Sequence, residues 1–210
     1  MYLTFDTSTP VTTISLGDRN GVIASFSEES RCHGPILLPA IETLLSREQV
    51  SKESLTHIGC GIGPGSFTGI RIGMATAKTM AWGLSIPFVA VTGFMTLHIM
   101  ATDEAGENPA RPVVTIIDAR RGEVYCAIHV HGALTAPPRL IAPELLHTLV
   151  TPDDTPVLIG SGVTNYRDIL ALNFSDDHMA SHHDFTPQAL HRAAMAVAQA
   201  PDFASMIRCL

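Results

Sequence analysis

Three groups of residues in this chain have types and spacing suited to chemistry. The first is the run Gly61-Ile62-Gly63-Pro64-Gly65-Ser66-Phe67-Thr68-Gly69-Ile70-Arg71-Ile72-Gly73. It sets two hydroxyls, Ser66 and Thr68, in backbone too rich in glycine to be the middle of a helix or strand. An apolar run, His57–Cys60, precedes it and a helix-forming run, Ile70–Leu84, follows it. The pattern reads as strand, tight turn and helix, and the free N–H groups at such a helix start favour an anion. The second group is Asp6 and Asp118, each closing an apolar strand, where a carboxylate either holds magnesium or orients the turn that follows. The third is His178 and His182, at HxxxH spacing between Asp177 and Asp184. That stretch lacks apolar helical periodicity, and ligand spacing without a preformed shell is a weak signal, so it reads as structural.

Three familiar motifs fail on the glycine run. A phosphate-binding Walker loop needs Gly-Lys-Ser/Thr, but Gly69 is followed by Ile70 and Arg71. A dinucleotide fingerprint needs glycine where Ser66 or Thr68 stands. A nucleophile elbow around Ser66 needs glycine in place of Pro64 and Thr68. The helix after the loop is more informative. Gly69, Gly73, Ala77 and Ala81 recur every four residues and form one ridge with almost no side chain. Such a ridge either packs inside its own domain or lets a helix of another subunit approach closely.

Around these groups the chain reads as alternating strands and helices. Tyr2–Asp6, Thr12–Leu16 and Val22–Ser27 form a meander. Pro35–Leu45 is a helix, with Leu37, Leu38, Ile41, Leu44 and Leu45 on one stripe and Pro39 expected in its first turn. A strand at Phe88–Val91 and a helix at Phe94–Ala101 follow the glycine-loop helix. The polar run Asp103–Pro109 is the expected hinge. Beyond it the order restarts with strands Val113–Asp118, Glu123–Val130 and Val157–Ile159. A helix, Gln188–Ala200, is capped by Thr186. The predicted fold class is α/β, with duplicated βββαβα units divided into residues 1–105 and 110–210.

Hydrophobic residues make up 46% of the 210, enough for a substantial core, and no uninterrupted apolar run reaches membrane-spanning length. The N-terminus reads as a strand without a basic leader, which argues against a signal peptide. Cys32, Cys60, Cys126 and Cys209 stand singly, as thiols in a reducing cytoplasm do. A net charge of −7 without a basic run makes direct grip on RNA phosphates a poor expectation.

The chain resembles the TsaB (YeaZ-type) family. The resemblance rests on Phe5-Asp6-Thr7-Ser8, His33 before Leu37-Leu38-Pro39, the Gly61–Gly73 run, and Val91-Thr92. It extends to Asp118-Ala119-Arg120 with Gly122-Glu123-Val124-Tyr125, and to Gly160 before Gly162. It implies the two-lobed actin/Hsp70-like (ASKHA, ribonuclease H-like) fold. It also implies a non-catalytic role beside the TsaD paralogue, which transfers threonylcarbamoyl to the adenosine 3′ of the anticodon in tRNAs reading codons that start with A. The expected partners are a TsaD-type paralogue, a TsaE-type ATPase and, for the lone chain, a second copy. tRNA is reached only indirectly and no membrane is involved.

First-lobe helices are the pairing elements in that family. The candidate interface is therefore Leu37, Leu38, Ile41, Gly69, Arg71, Gly73, Ala77 and Ala81. Asp6, Ser66, Thr68, Arg120 and Glu123 are candidate contacts to a nucleotide or a subunit boundary. ATP or ADP is expected at the complex interface rather than on this chain alone. No residue is assigned a catalytic or metal-binding role. The alternative is a small-molecule kinase or ATPase of the actin, Hsp70 and sugar-kinase superfamily, motivated by Asp6 and Asp118 in matching hairpins. Phosphate loops there use Asp-x-Gly, whereas Asp6 is followed by Thr7-Ser8 and Asp118 by Ala119-Arg120-Arg121. Arg120 either pairs with a phosphate or is solvated beside Glu123, and His33 reads as a packing residue at a helix start.

Overall fold

The computed structural model describes residues 1–30, 32–105 and 111–200. Most of the expected hinge, Gly106–Pro109, and Cys209 lie outside the described residues. The described residues divide into two compact units, residues 1–96 with 185–200, and residues 97–184.

The first unit contains β1 (Tyr2–Asp6), β2 (Val11–Asp18), β3 (Gly21–Glu29), α1 (Gly34–Arg47), β4 (His57–Gly61), α2 (Phe67–Leu84) and β5 (Phe88–Val91). The sheet order is β3-β2-β1-β4-β5. The first three strands pair antiparallel, as short turns require, while β4 and β5 join in parallel through the crossover helix α2. This is the ribonuclease H-like order that the family resemblance implies. Leu37, Ile41, Leu44 and Leu45 of α1 and Ala77 and Ala81 of α2 close one core with Leu3, Phe5, Ile58 and Cys60. Pro39 lies inside α1 rather than in its first turn.

The C-terminal helix corrects the expected boundary. Chain order puts residues 110–210 in one lobe, yet α6 (Pro187–Ala198) lies on the first sheet, against β1, β2, β3, β4 and β5. Gly59 of β4 leaves room there for Ala194, and the His191 ring meets the Asp18 carbonyl at 2.9 Å and the edge of Tyr2. Small side chains on α6 let the helix approach the sheet closely. Thr186 caps it as expected, accepting the Ala189 N–H at 3.2 Å.

The division between the units falls within α3 (Gly93–Ala105). The second unit continues with β6 (Val113–Arg120), β7 (Glu123–Val130), β8 (Ala133–Leu134), β9 (Arg139–Ile141), β10 (Val157–Ile159), α4 (Ser161–Asn165) and α5 (Arg167–Leu170). Its sheet runs β10-β6-β7-β8, with β9 also beside β7. The order repeats that of the first unit in reduced form. A 3-10 turn, Pro143–Thr148, stands where α1 stands in the first unit. A single parallel bridge, Leu158 to Met179, takes the place beyond β10 where the first sheet has a full strand.

Candidate functional site

The glycine loop and the first hairpin are locked to each other. Asp6 is 1% exposed, and its Oδ1 accepts the Ser8 N–H at 2.6 Å and the Ser8 hydroxyl at 2.8 Å. Its Oδ2 has no partner among the described residues, and burial pushes the carboxyl above the usual range against those two bonds. A Cβ on Gly61 would overlap that Oδ2, and one on Gly69 would overlap the Thr7 carbonyl. The Thr7 hydroxyl donates to the Gly69 carbonyl and the Ser66 N–H to the Ser8 carbonyl, each at 2.7 Å. The glycines therefore bring the loop onto the chain's own hairpin. Ser66 is the N-cap of α2, accepting the Gly69 N–H at 3.2 Å, and Thr68 is exposed beside it. Cys60, underneath, is buried and its thiol is pushed far up by that burial and by Asp6.

At the second hairpin Asp118 is likewise committed. Its Oδ1 accepts the Arg120 N–H at 2.8 Å and the Tyr166 hydroxyl at 3.0 Å, and its Oδ2 accepts the Asn165 amide at 2.8 Å. This ties the hairpin to α4 and the start of α5. Arg120, Arg121 and Gly122 take left-handed φ values of 65°, 57° and 82°. Both arginines and Glu123 are exposed, and Arg120 and Glu123 face each other in register without an ion pair among the described residues. His33 lies at 2.7 Å from the Thr12 hydroxyl, is 7% exposed, and is held below its ordinary pKa by burial. His178 and His182 do not share a helix. The first accepts the Ser175 N–H in a 3-10 turn and the second meets the Ser181 hydroxyl.

The pairing residues expected on α1 and α2 sort into two classes. Gly69, Gly73, Ala77 and Ala81 are all buried, and Gly73 faces Thr7 and Cys60, so the small-residue ridge seats α2 on its own sheet. Leu37 and Ile41 are 1% and 2% exposed and belong to the core. These six are therefore not surface contacts. The stripe on α1 that drew them together is its inward face. Leu38 and Arg71 remain outside.

The outer face of α2 carries what the sequence reading missed. Phe67 is 73% exposed and Trp82 85% exposed, at opposite ends of the helix. Arg71 stands over the Phe67 ring at 5.5 Å and Lys78 over the Phe88 ring at 5.8 Å. At 3.6 residues per turn, positions 67, 71, 78 and 82 fall within an arc of about 60°. The N-terminus of α1 borders this helix at Gly34, whose Cβ position lies 3.9 Å from Ile72 Cδ1, and Leu38 of α1 is 50% exposed. Phe67 and Trp82 are the large apolar side chains that α2 turns outward. The signal was available: the same periodicity that gave the small ridge, read on the opposite side of the helix, gives the aromatic stripe.

Comparison with known proteins places these features in a family. Residues 20–200 match the family model described as TsaD, tRNA N6-adenosine threonylcarbamoyltransferase. The chain is 34% identical over 152 residues to the tRNA threonylcarbamoyladenosine biosynthesis protein TsaB of Escherichia coli (strain K12), covering 69% of this chain and 64% of that protein. It is 36% identical over 128 residues to the protein of the same name from Bacillus subtilis (strain 168), covering 60% and 54%. The chain thus spans less than two thirds of the length of these curated relatives. Among solved structures, YeaZ from Pseudomonas aeruginosa superposes with a TM-score of 0.76 at 26% identity, covering 93% of this chain and 91% of that one.

Proposed function

The chain belongs to the TsaB/YeaZ family, and from that premise we propose that it is a non-catalytic subunit in tRNA threonylcarbamoyladenosine formation. In this reading it binds and activates a TsaD-type paralogue. The paralogue installs the threonylcarbamoyl group on the adenosine 3′ of the anticodon in tRNAs that read codons starting with A. A TsaE-type ATPase joins the pair, tRNA is held by the partners, and the assembly works in the cytoplasm. ATP or ADP belongs to the boundary between subunits.

The observation that carries this reading is the exposed stripe Phe67, Arg71, Lys78 and Trp82 on a helix whose other face is fully occupied by its own sheet. Two further features support it. Asp6 is sealed beneath Gly61, and both oxygens of Asp118 already accept bonds from within the chain. The kinase alternative needs these two carboxylates free toward magnesium and phosphate.

Deleting the chain from its host tests the proposal. Threonylcarbamoyladenosine should vanish from tRNA, return with the wild-type chain, and stay absent with Trp82→Asp. Full modification in the deletion strain, or full rescue by Trp82→Asp at wild-type abundance, would remove the basis for it.

A further inference from the structure

The charges on the α2 stripe carry a second message, about which chain covers it. Arg71 and Lys78 are its only charged residues, and α2 from Phe67 to Leu84 contains no aspartate or glutamate, although the whole chain has net charge −7. Among the described residues neither cation forms an ion pair; both rest over aromatic rings. The stripe is also symmetric about its midpoint. Between Met74 and Ala75 lies a point equidistant from Phe67 and Trp82, and equidistant from Arg71 and Lys78. The two aromatics are about 22 Å apart along the axis at 1.5 Å per residue.

A two-fold pairing of this helix with a second copy must use the same patch on both sides. With α2 antiparallel to its mate and the axis at the midpoint, Phe67 of each copy meets Trp82 of the other. Arg71 of each copy then meets Lys78 of the other. The aromatics match well, but the cations oppose each other twice. Like charges brought together at an interface discriminate against that partner, while opposite charges favour another.

We propose that Arg71 and Lys78 are selectivity residues. They weaken self-pairing through α2 and favour a TsaD-type paralogue that presents carboxylates at the two matching heights, flanked by pockets for Phe67 and Trp82. This rests on the pairing surface proposed above and adds the chemistry by which the surface chooses. A self-pair held by aromatics against repelling cations tightens as salt screens the charges. A pair with an acidic partner loosens under the same change.

The experiment measures two affinities for the full chain, self-association by sedimentation and paralogue binding by titration, across sodium chloride concentrations. It uses the wild type, Arg71→Glu and Lys78→Glu, with urea melts to confirm that these exposed changes leave the fold intact. Arg71→Glu turns both cation–cation contacts of the self-pair into ion pairs, so self-association should tighten about tenfold and paralogue binding should weaken about tenfold. Lys78→Glu should do the same by symmetry. If both affinities move in the same direction, or neither responds to charge or salt, the inference is wrong while the pairing surface stands. If the wild-type chain does not bind the paralogue at all, the pairing reading fails and takes the inference with it.

Discussion

Trp82 allows the pairing surface to be tested without disturbing the fold. Its indole is 85% exposed in the last turn of α2, so replacing it with alanine removes little that the folded chain uses. A substitution at such a site changes folding stability by about 0.5 kcal/mol or less. Binding is a different matter. Covering an indole withdraws on the order of 200 Å² from water, roughly 5 kcal/mol gross at about 25 cal/mol per Å². Part of this is offset by about 1 kcal/mol for fixing the side chain. Truncating a central aromatic anchor typically costs about 2–4 kcal/mol, which is a loss of roughly 30- to 1000-fold in affinity. The assay is titration of Trp82→Ala and Phe67→Ala against the TsaD-type paralogue, with urea midpoints measured in parallel. A bulky residue on the buried ridge makes the contrast. Ala77 is 0% exposed, so Ala77→Trp overpacks the core and should unfold the unit rather than report on pairing. Trp82→Ala binding within threefold of wild type would refute the reasoning. So would a loss of binding matched by a comparable loss of stability.

Other outcomes follow from the same geometry. Gly61→Ala sets a methyl group on the Asp6 carboxylate and should destabilise the first unit by about 3 kcal/mol, read as a lowered urea midpoint with an unchanged slope. Asp6→Asn keeps the Ser8 bonds and should leave both stability, within about 1 kcal/mol, and tRNA modification close to wild type. The Asp6 carboxyl is raised by burial, so its contribution is fully present below the unfolded pKa and is lost as pH rises through the folded one; the asparagine variant should lack that slope in a pH series of melts. His98 and His129 stack at 4.4 Å in the second unit. His129 is lowered to about 4, by burial and then by His98, and His98 is lowered by burial. The unfolded chain therefore takes up protons that the fold resists, and stability should fall as pH drops from about 6.5 towards 4. His129→Phe should flatten that decline in acid denaturation.

What could be read from residue order was whatever depends on neighbours. The strand ending at Asp6, the Thr186 cap and the strand–loop–helix around Gly61–Gly73 come from local period and turn chemistry, whereas the second strand runs past Asp118 to Arg120. The orientation of the Gly69–Ala81 ridge did not, because a bare helix flank suits a partner helix and its own sheet equally well. Only Thr7 and Cys60, brought to Gly73 by the sheet, decide it. The assignment of α6 to the first sheet was hidden for the same reason, since Ala194 meets Gly59 across a separation that no local pattern encodes. The commitment of Asp118 needed Asn165 and Tyr166, 47 and 48 positions away. Phe67 and Trp82 are legible in the helical period of α2, on the face away from the small residues.

The central claim is that this chain supplies a surface and its paralogue supplies the reaction. It is met most directly by measuring threonylcarbamoyladenosine formed on unmodified tRNA, given the threonylcarbamoyl-adenylate donor, with this chain alone, the TsaD-type paralogue alone, and the two together. The account predicts no product from the lone chain and far more from the pair than from the paralogue alone. Product formed by the lone purified chain would contradict it.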